Sequence, residues 1–229
     1  MPCLERPCLP RTSGRAEGHE TYADLDRALN ATDPAHRSAN VDLMELLPPE
    51  RLEDGPVVLR PLAERDVEPF VGALAAEPAL GAWVGFDADP DAAAVRSSIE
   101  AGPKRAASGR GLERAIADRE TDAFLGSVLL HSFEWEHRRC EVGFWLVRDA
   151  RRRGIGTRAV GLVIDWVFSA LDFERIEMTT TPDNPAVAPL ARKLGFQLEG
   201  VLRARDIERG RRVDIVWFGL LRSEWNNRW

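Results

Sequence analysis

The sequence predicts an α/β fold built on one sheet of mixed strand direction. Strand-like and helix-like segments follow one another in the order β-α-α-β-β-β-α-β-α-β-β from Gly55 onward. Short links join the three consecutive strands in the middle, which is typical of antiparallel neighbours. A strongly periodic helix separates these strands from the later ones, so both strand directions are expected in one sheet.

Each element of the first half follows from its apolar spacing and its breakers. A strand is predicted at Val57–Leu62 and a helix at Glu64–Ala75, and a second helical region runs from about Asp89 to Ala107. Pro103 is expected to interrupt that region because proline lacks the donor that a helix interior needs. The three central strands are then predicted at Glu113–Asp118, Phe124–Phe133 and Glu141–Val147.

The second half begins with the clearest helix, Ile155–Leu171, whose apolar residues recur in steps of three and four. A strand follows at Arg175–Thr181. Asn184 and Pro185 then resemble a helix cap and first turn, and Gly195 closes that helix after Leu194. Two long strands, Gln197–Ile207 and Val213–Leu221, surround a turn that contains Gly210.

Composition divides the chain in two. Residues 1–50 are rich in Arg, Glu, Asp, Pro and Ala, with short helical stretches at Glu20–Leu29 and Val41–Leu47, and they are interpreted as a mobile extension or surface arm. Such an arm could serve a partner or a dimer mate. Residues 55–229 are predicted to form one domain with a sizeable core.

Charge and cysteine usage exclude several function classes. A net charge of −6 argues against a general nucleic-acid binder and permits a cationic substrate, although a solvated acidic surface gives the same balance. No apolar run is long enough to span a membrane, and no signal peptide is indicated. Three cysteines (Cys3, Cys8, Cys140) and four scattered histidines (His19, His36, His131, His137) form neither a disulfide framework nor a metal site. A reducing cytoplasm fits best.

Residues 151–156 carry the strongest functional signal. Gly154 and Gly156 remove side chains from a loop directly before the long helix, so main-chain N–H groups can converge at its positive end. Five arginines lie between Arg148 and Arg158. These features predict a site for a phosphate-bearing ligand. A dinucleotide motif is disfavoured because arginines separate the glycines from the preceding strand, and a purely structural glycine turn is the plainer alternative.

With its flanks, this stretch resembles the GNAT acetyltransferase superfamily, and within it the RimJ/RimL type of ribosomal-protein-alanine N-acetyltransferases. The resemblance rests on matching blocks that occur in the family's order and spacing. These are Glu141-Val142-Gly143-Phe144-Trp145-Leu146, Arg151 to Val160, Asp183-Asn184, Lys193-Leu194-Gly195-Phe196, Glu199 to Arg203, and Glu224-Trp225.

The resemblance implies a mostly antiparallel sheet with a central pair of splayed parallel strands, and acetyl-coenzyme A (acetyl-CoA) as the donor. The pyrophosphate would lie against the N–H groups of the loop. The pantetheine arm would lie between the two splayed strands like an added strand. The residues implied to bind the donor are Trp145, Leu146, Val147, Arg151, Arg152, Arg153, Gly154, Ile155, Gly156, Thr157, Arg158 and Asn184. Asn184 is equally well explained as a plain helix cap.

A primary amine is the implied acceptor, and Glu141 is the candidate for receiving its proton, directly or through water. Glu141 could instead only orient the amine or pair with an arginine, and Glu134 and Glu136 are the alternatives to it. No metal is expected. Transfer is expected to be direct, within a ternary complex.

The group that protonates the leaving thiolate is not assigned. The family branch commonly has Ser three residues after the Asn, where this chain has Val187, and the only tyrosine is Tyr22. Either water or the amine itself protonates the sulfur, or the protein is a non-catalytic acyl-CoA sensor or interaction module. The acceptor pocket could be lined by Trp83, Phe86, Phe133 and Trp135, unless these are core.

The acceptor could be a protein N-terminus or a small-molecule amine, and a homodimer is plausible. Asp206, Glu208 and Asp214 could bind a cationic acceptor, or they could balance neighbouring arginines across the last hairpin.

Overall fold

A computed structural model of the chain describes residues 50–77, 80–81, 84, 91–208 and 210–226. The predicted helices at Glu20–Leu29 and Val41–Leu47 lie outside the described residues, as do Trp83 and Phe86. The division into an extension and a domain therefore stays a prediction.

The described residues form the following elements. The strands are β1 (Leu52–Asp54), β2 (Val57–Arg60), β3 (Leu112–Asp118), β4 (Phe124–Glu134), β5 (Arg139–Leu146), β6 (Arg175–Thr180), β7 (Gln197–Glu208) and β8 (Arg211–Leu221). The α-helices are α1 (Val67–Ala76), α2 (Ala92–Ala107), α3 (Ile155–Ala170), α4 (Val187–Lys193) and α5 (Arg222–Asn226). Short 3-10 turns occupy Glu64–Asp66 and Arg148–Ala150.

The strands form one sheet in the order β1-β2-β3-β4-β5-β6-β8-β7. Every neighbouring pair is antiparallel except β5 and β6, which run parallel. The predicted mixed, mostly antiparallel sheet with one central parallel pair and flanking helices is confirmed. The parallel pair is in register only from Arg139–Arg175 to Glu141–Glu177, so the two strands part after Glu141.

The two faces of the sheet bury different clusters. On one face, the apolar stripe of α3 packs on alternate residues of β5, Cys140, Val142 and Leu146. On the other face, α1 and α2 cover Trp145, which contacts Phe70 with ring centroids 4.8 Å apart. Side chains alternate between faces along a strand, so Glu141 and Gly143 share the Trp145 face.

Two of the predicted helices differ from the observed helices near a proline. Helix α2 continues through Pro103, because the backbone carbonyl that loses its partner there lies on a partly exposed helix where water can satisfy it. Helix α4 begins at Val187, after Asn184 and Pro185. The Asn184 Oδ1 accepts a hydrogen bond from the Ala186 N–H at 3.2 Å, so its side chain closes a turn before the helix.

One edge of the sheet is stabilised by a buried ion pair. The Arg60 guanidinium donates to both carboxylate oxygens of Asp66 at 2.7 and 2.9 Å, and the two side chains are almost fully buried. This pair fixes the end of β2 against the start of α1.

None of the described helices is long and apolar enough to cross a membrane.

Candidate functional site

The site begins where β5 and β6 part. Strand β5 pairs antiparallel with β4, so the main-chain groups of successive β5 residues point alternately toward β4 and away from it. The Val147 N–H donates to the Leu125 carbonyl at 2.9 Å. Odd-numbered residues of β5 therefore direct their main-chain groups toward β4, and even-numbered residues direct theirs toward β6. Beyond Glu141 the described part of β6 no longer meets them, so the opening is lined by main-chain groups of Phe144 and Leu146.

This alternation changes the set of predicted pantetheine partners. Trp145 and Val147 turn their N–H groups to β4, whereas Leu146 keeps its N–H toward the opening. The Leu146 carbonyl already accepts from the Arg151 guanidinium at 2.8 and 2.9 Å. Phe144 joins the set, because its main-chain N–H and carbonyl, like those of Leu146, point away from β4 and toward the opening. The motif showed which strand lines the opening but not which residues face it.

The loop after β5 presents a row of free donors. Arg152 and Gly154 have left-handed backbones, with φ of 59° and 78°. Among the described residues, no acceptor is found for the N–H groups from Arg152 through Thr157, and the first helical bond runs from the Arg158 N–H to the Gly154 carbonyl at 3.1 Å. Such a run of donors at the positive end of a helix binds anions.

The two glycines of the loop have different roles. Gly154 is exposed, and a Cβ added there would meet no atom within 4 Å, so its positive φ is what requires glycine. Gly156 is buried, and a Cβ there would lie 3.1 Å from the Phe144 ring and 3.2 Å from Leu190. Gly156 therefore brings the start of α3 close to β5, which sets the free donors at the mouth of the opening.

The loop arginines are not equally available. Arg148 and Arg151 both contact Glu77 at the end of α1, at 3.3 and 2.7 Å, and Arg158 pairs with Asp54 at 2.8 Å. In the part of the chain that the structure describes, Arg152 and Arg153 form no salt bridge. Their exposed guanidinium groups are therefore the ones free to approach a phosphate.

Asn184 lies on the far side of the opening, in the turn that follows β6. Its Oδ1 is engaged with Ala186, while its amide NH2 donates to no group within the described ranges. Val187, the first residue of α4, is buried and carries no proton that a thiolate could take. Asn184 therefore follows the strand that borders the opening, and its contact with the donor stays a prediction.

Glu141 lies at the point where the strands part, on the face opposite α3. Its Oε1 accepts a hydrogen bond from the Thr179 hydroxyl on β6, which ties the carboxylate across the opening. Its Oε2 lies 4.0 Å from Nδ1 of His131, which is the cross-strand neighbour of Glu141 on β4. Burial lowers the pKa of the His131 imidazole, and the Glu141 charge opposes that effect.

The two alternatives to Glu141 are placed differently. The Arg139 guanidinium binds Glu134 and also donates to Glu177 at 2.7 Å, so Glu134 belongs to an ion-pair network at the start of β5. Glu136 is exposed in the turn between β4 and β5. Glu141 is therefore the one of the three that faces the opening.

Two polar groups near the site were not singled out from the sequence. His131 was treated only as a possible metal ligand, and its ten-residue spacing from Glu141 acquires meaning once the β4–β5 register is known. Glu113 on β3 accepts from the Ser127 hydroxyl at 2.7 Å, and burial raises the pKa of its carboxyl. To place either residue beside the site from the sequence, a hairpin with a defined turn would have had to be predicted, because the turn fixes which residues face each other across the strands.

The remaining candidates fall in the core or in the hairpin. Phe133 and Trp135 stack at 5.5 Å and meet Phe173 within the cluster under α3, which favours the core interpretation. Asp214 accepts from the Ala204 N–H at 2.8 Å, and Asp206 lies 3.7 Å from Arg205. These two carboxylates are engaged within the last hairpin.

Cys140 is buried on the α3 face, where burial raises the pKa of its thiol well above the usual range. It lies on the opposite side of β5 from Glu141, so it is not placed to carry an acyl group. Within the described ranges, no group of three or more His, Cys, Asp or Glu side chains is arranged to hold a metal ion.

Comparison with known proteins gives a consistent result. Residues 57–197 match the family model of the acetyltransferase (GNAT) domain. The N-acetyltransferase p20 of Bacillus licheniformis is 29% identical over 149 residues, which are 65% of this chain and 84% of that protein. Mycobacterium smegmatis RimJ, solved in complex with CoA-disulfide, superposes with a TM-score of 0.67 at 24% identity, covering 74% of this chain and 87% of that one.

A further structural neighbour is the ribosomal-protein-S5-alanine acetyltransferase of Vibrio fischeri. It has a TM-score of 0.65 at 18% identity and covers 76% of this chain and 98% of that one. At these identities the two structures establish the fold alone.

Proposed function

The chain belongs to the GNAT acetyltransferase family and is an N-acetyltransferase, and we propose that it transfers an acetyl group from acetyl-CoA to a primary amine in a ternary complex. One observation carries this proposal. The opening between β5 and β6 has free main-chain donors at one end and the Glu141 carboxylate at the other.

The donor end fits a nucleotide pyrophosphate. The N–H groups from Arg152 through Thr157 are oriented before a ligand arrives, so binding an anion needs little rearrangement. Arg152 and Arg153 add positive charge without competing salt bridges in the described region. The main chain of Phe144 and the amide of Asn184 are available to the amides of the pantetheine arm.

The acceptor end supplies what the chemistry needs. An amine arrives protonated at neutral pH and must lose a proton before it can attack a thioester. The Glu141 carboxylate supplies the negative charge for that step, either directly or through an intervening group. The Leu146 N–H, which points into the opening, can donate to the carbonyl oxygen as negative charge develops there.

Direct transfer is favoured over an acyl-enzyme. Cys140 is buried behind the strand, and among the described residues it is the only cysteine. The amine nitrogen then adds to the acyl carbon, and the carbonyl electron pair moves to the oxygen. As the carbonyl re-forms, the carbon–sulfur bond breaks, and the extra proton on the nitrogen passes to the sulfur. This last transfer needs no side chain at Val187, since the sulfur and the nitrogen are bonded to the same carbon in the tetrahedral intermediate.

The buried Val187 also favours a second candidate, a non-catalytic acyl-CoA sensor. Both candidates require the same donor site and differ only in turnover. Isothermal titration with acetyl-CoA tests the donor site, and the absence of binding at millimolar ligand would contradict both. Free thiol release is then followed with spermidine, an aminoglycoside and a peptide with an N-terminal alanine. Product formation with any of these amines supports the enzyme, whereas binding without product from the panel supports the sensor.

A further inference from the structure

His131 occupies a position that the family resemblance does not assign. It stands directly across from Glu141 on β4 and faces the same side of the sheet. Its Nδ1 lies 3.0 Å from the Ser132 hydroxyl oxygen and 4.0 Å from Glu141 Oε2. Its Nε2 lies 3.8 Å from the position that a Cβ of Gly143 would take. The ring therefore spans from Glu141 to the space above Gly143.

Gly143 keeps that space free of side-chain atoms. It lies on β5 two residues beyond Glu141, already within the stretch that has parted from β6. A larger residue at this position would extend toward the imidazole, so glycine leaves Nε2 accessible from the opening. The side chain of His131 retains 25% exposure, which is enough for one ring edge to meet a ligand.

The local backbone conformation orients the His131 ring. The β4–β5 register shifts between His131 and Glu134, and Ser132 has a φ of 51°, a left-handed conformation that is uncommon for residues other than glycine. Bulges of this kind re-aim side chains and occur often beside active sites. Here the bulge places the Ser132 hydroxyl beside Nδ1 of the preceding residue, His131.

The surroundings select one tautomer of the ring. A proton on Nδ1 points toward Ser132 Oγ and the Glu141 carboxylate, whereas a lone pair on Nδ1 would face that negative charge. The Glu141 charge therefore favours the tautomer with the proton on Nδ1 and the Nε2 lone pair toward the opening. A carboxylate behind the protonated nitrogen also stabilises the imidazolium that forms when Nε2 takes a second proton.

We propose that His131 Nε2 is the atom that receives the proton of the acceptor ammonium, and that Glu141 acts through it by orienting and stabilising the ring. This inference rests on the proposed acetyltransferase function and names the intervening group in the proton transfer. The ammonium N–H bond breaks, its proton moves to Nε2, and the freed electron pair of the nitrogen attacks the thioester carbon. The imidazolium returns its proton to water after the products leave.

The charged groups around His131 set the pH behaviour of this step. Those on its own face come from four elements: Glu113 of β3, Arg105 of α2, Arg139 and Glu141 of β5, and Arg175 and Glu177 of β6, together with Glu134 on β4 itself. Glu113 pairs with Arg105, Glu134 pairs with Arg139, and Glu177 pairs with both Arg139 and Arg175. Glu141 is thus the charge that acts on the imidazole without a guanidinium partner among the described residues.

The test compares His131→Gln with His137→Gln, an exposed histidine in the turn after β4. Glutamine retains a polar group near the position of Nε2 but cannot take up a proton. Both variants are assayed as full chains with acetyl-CoA and the amine of the panel that gives the highest kcat/KM. For His131→Gln we expect kcat to fall by about 10²–10⁴-fold with an unchanged Kd for acetyl-CoA, because general-base catalysis contributes at this level. His137→Gln should match the wild type.

A pH profile separates proton transfer from a structural role. In the wild type, kcat/KM should fall on the acid side with the pKa that NMR measures for the His131 ring, and this limb should be absent in His131→Gln. Added imidazole should restore part of the activity of His131→Gly but none to Glu141→Gln.

Two results would overturn the inference while leaving the acetyltransferase intact. They are a His131→Gln enzyme with kcat within about threefold of wild type, which is far less than a general base contributes, and an acid limb that persists unchanged in that variant. A wild-type chain that binds acetyl-CoA but acetylates no amine would overturn the acetyltransferase proposal and this inference together.

Discussion

The two ends of the β5–β6 opening are built in different ways. The donor end is made of main-chain groups: consecutive N–H groups from Arg152 through Thr157 and the free edge of β5. The acceptor end is made of side chains from three strands: His131, Glu141 and Thr179. A main-chain site depends on local conformation, whereas a side-chain site depends on strand register. The two ends should therefore respond to mutation in separable ways.

The largest expected effect belongs to the acceptor end. Glu141→Gln removes the charge but keeps the shape, and the Thr179 hydroxyl can still donate to the amide oxygen. We expect kcat to fall by about 10²–10⁴-fold, up to the loss in His131→Gln, because the ring loses the charge that orients and stabilises it, while the Kd for acetyl-CoA from calorimetry stays the same. Glu136→Gln, exposed in the β4–β5 turn, is the matched control. A parallel loss of donor affinity in Glu141→Gln would show that the two ends are not separable.

The donor end should show the opposite pattern. Gly154→Val places a β-branched residue at a φ of 78°, which such residues avoid, so the loop must leave its conformation. A cost of about 1.4 kcal/mol corresponds to a tenfold weaker Kd for acetyl-CoA. At saturating donor, kcat should change little. Gly161→Ala in α3 is the control, because its added Cβ meets no atom closer than 3.9 Å. A large loss of kcat with an intact Kd would contradict this assignment.

The same contrast explains what the sequence could predict. The glycine loop and the long helix after it follow from a contiguous block between Glu141 and Val160, and the family resemblance implies the parallel pair, so the fold and the place of the donor loop could be predicted. The partner of Glu141 was not, because the pairing of His131 with Glu141 depends on a hairpin register that a bulge near Ser132 obscures. The direction of the Phe144 and Leu146 main chains likewise requires the β4–β5 hydrogen bonds.

The acceptor end should also affect how the free energy of unfolding depends on pH. Because burial lowers the pKa of His131, the unfolded chain binds the histidine proton at a higher pH than the folded chain. The free energy of unfolding should therefore fall as the pH drops below about 6.5, the ordinary pKa of a histidine in the unfolded chain. Urea unfolding of His131→Gln should lack this component. Carboxylates whose pKa is lowered by arginines, such as Asp122 and Glu199, lose their contribution only at lower pH.

The smallest expected effect concerns Glu77, the one contact described here that links α1 on the acceptor side to the donor loop. Glu77 binds Arg148 and Arg151, and Arg151 in turn donates to the Leu146 carbonyl. The arginine interactions lower the pKa of the Glu77 carboxyl, so the charged pair persists at neutral pH. Since partly exposed ion pairs contribute about 0.2–1 kcal/mol, Glu77→Gln should weaken acetyl-CoA binding by less than about fivefold.

The readout that makes Glu77 informative is its effect on both substrates. If Arg151 only anchors the loop, calorimetry will show the small change in donor Kd, and the KM of the amine will stay constant. If α1 and the loop move as one unit, both constants will rise together. Glu64→Gln breaks a comparable exposed pair with Arg96 between the start of α1 and α2, far from the loop, and should change neither constant. A Glu77→Gln enzyme identical to that control would mean that the donor and acceptor ends are not coupled through this contact.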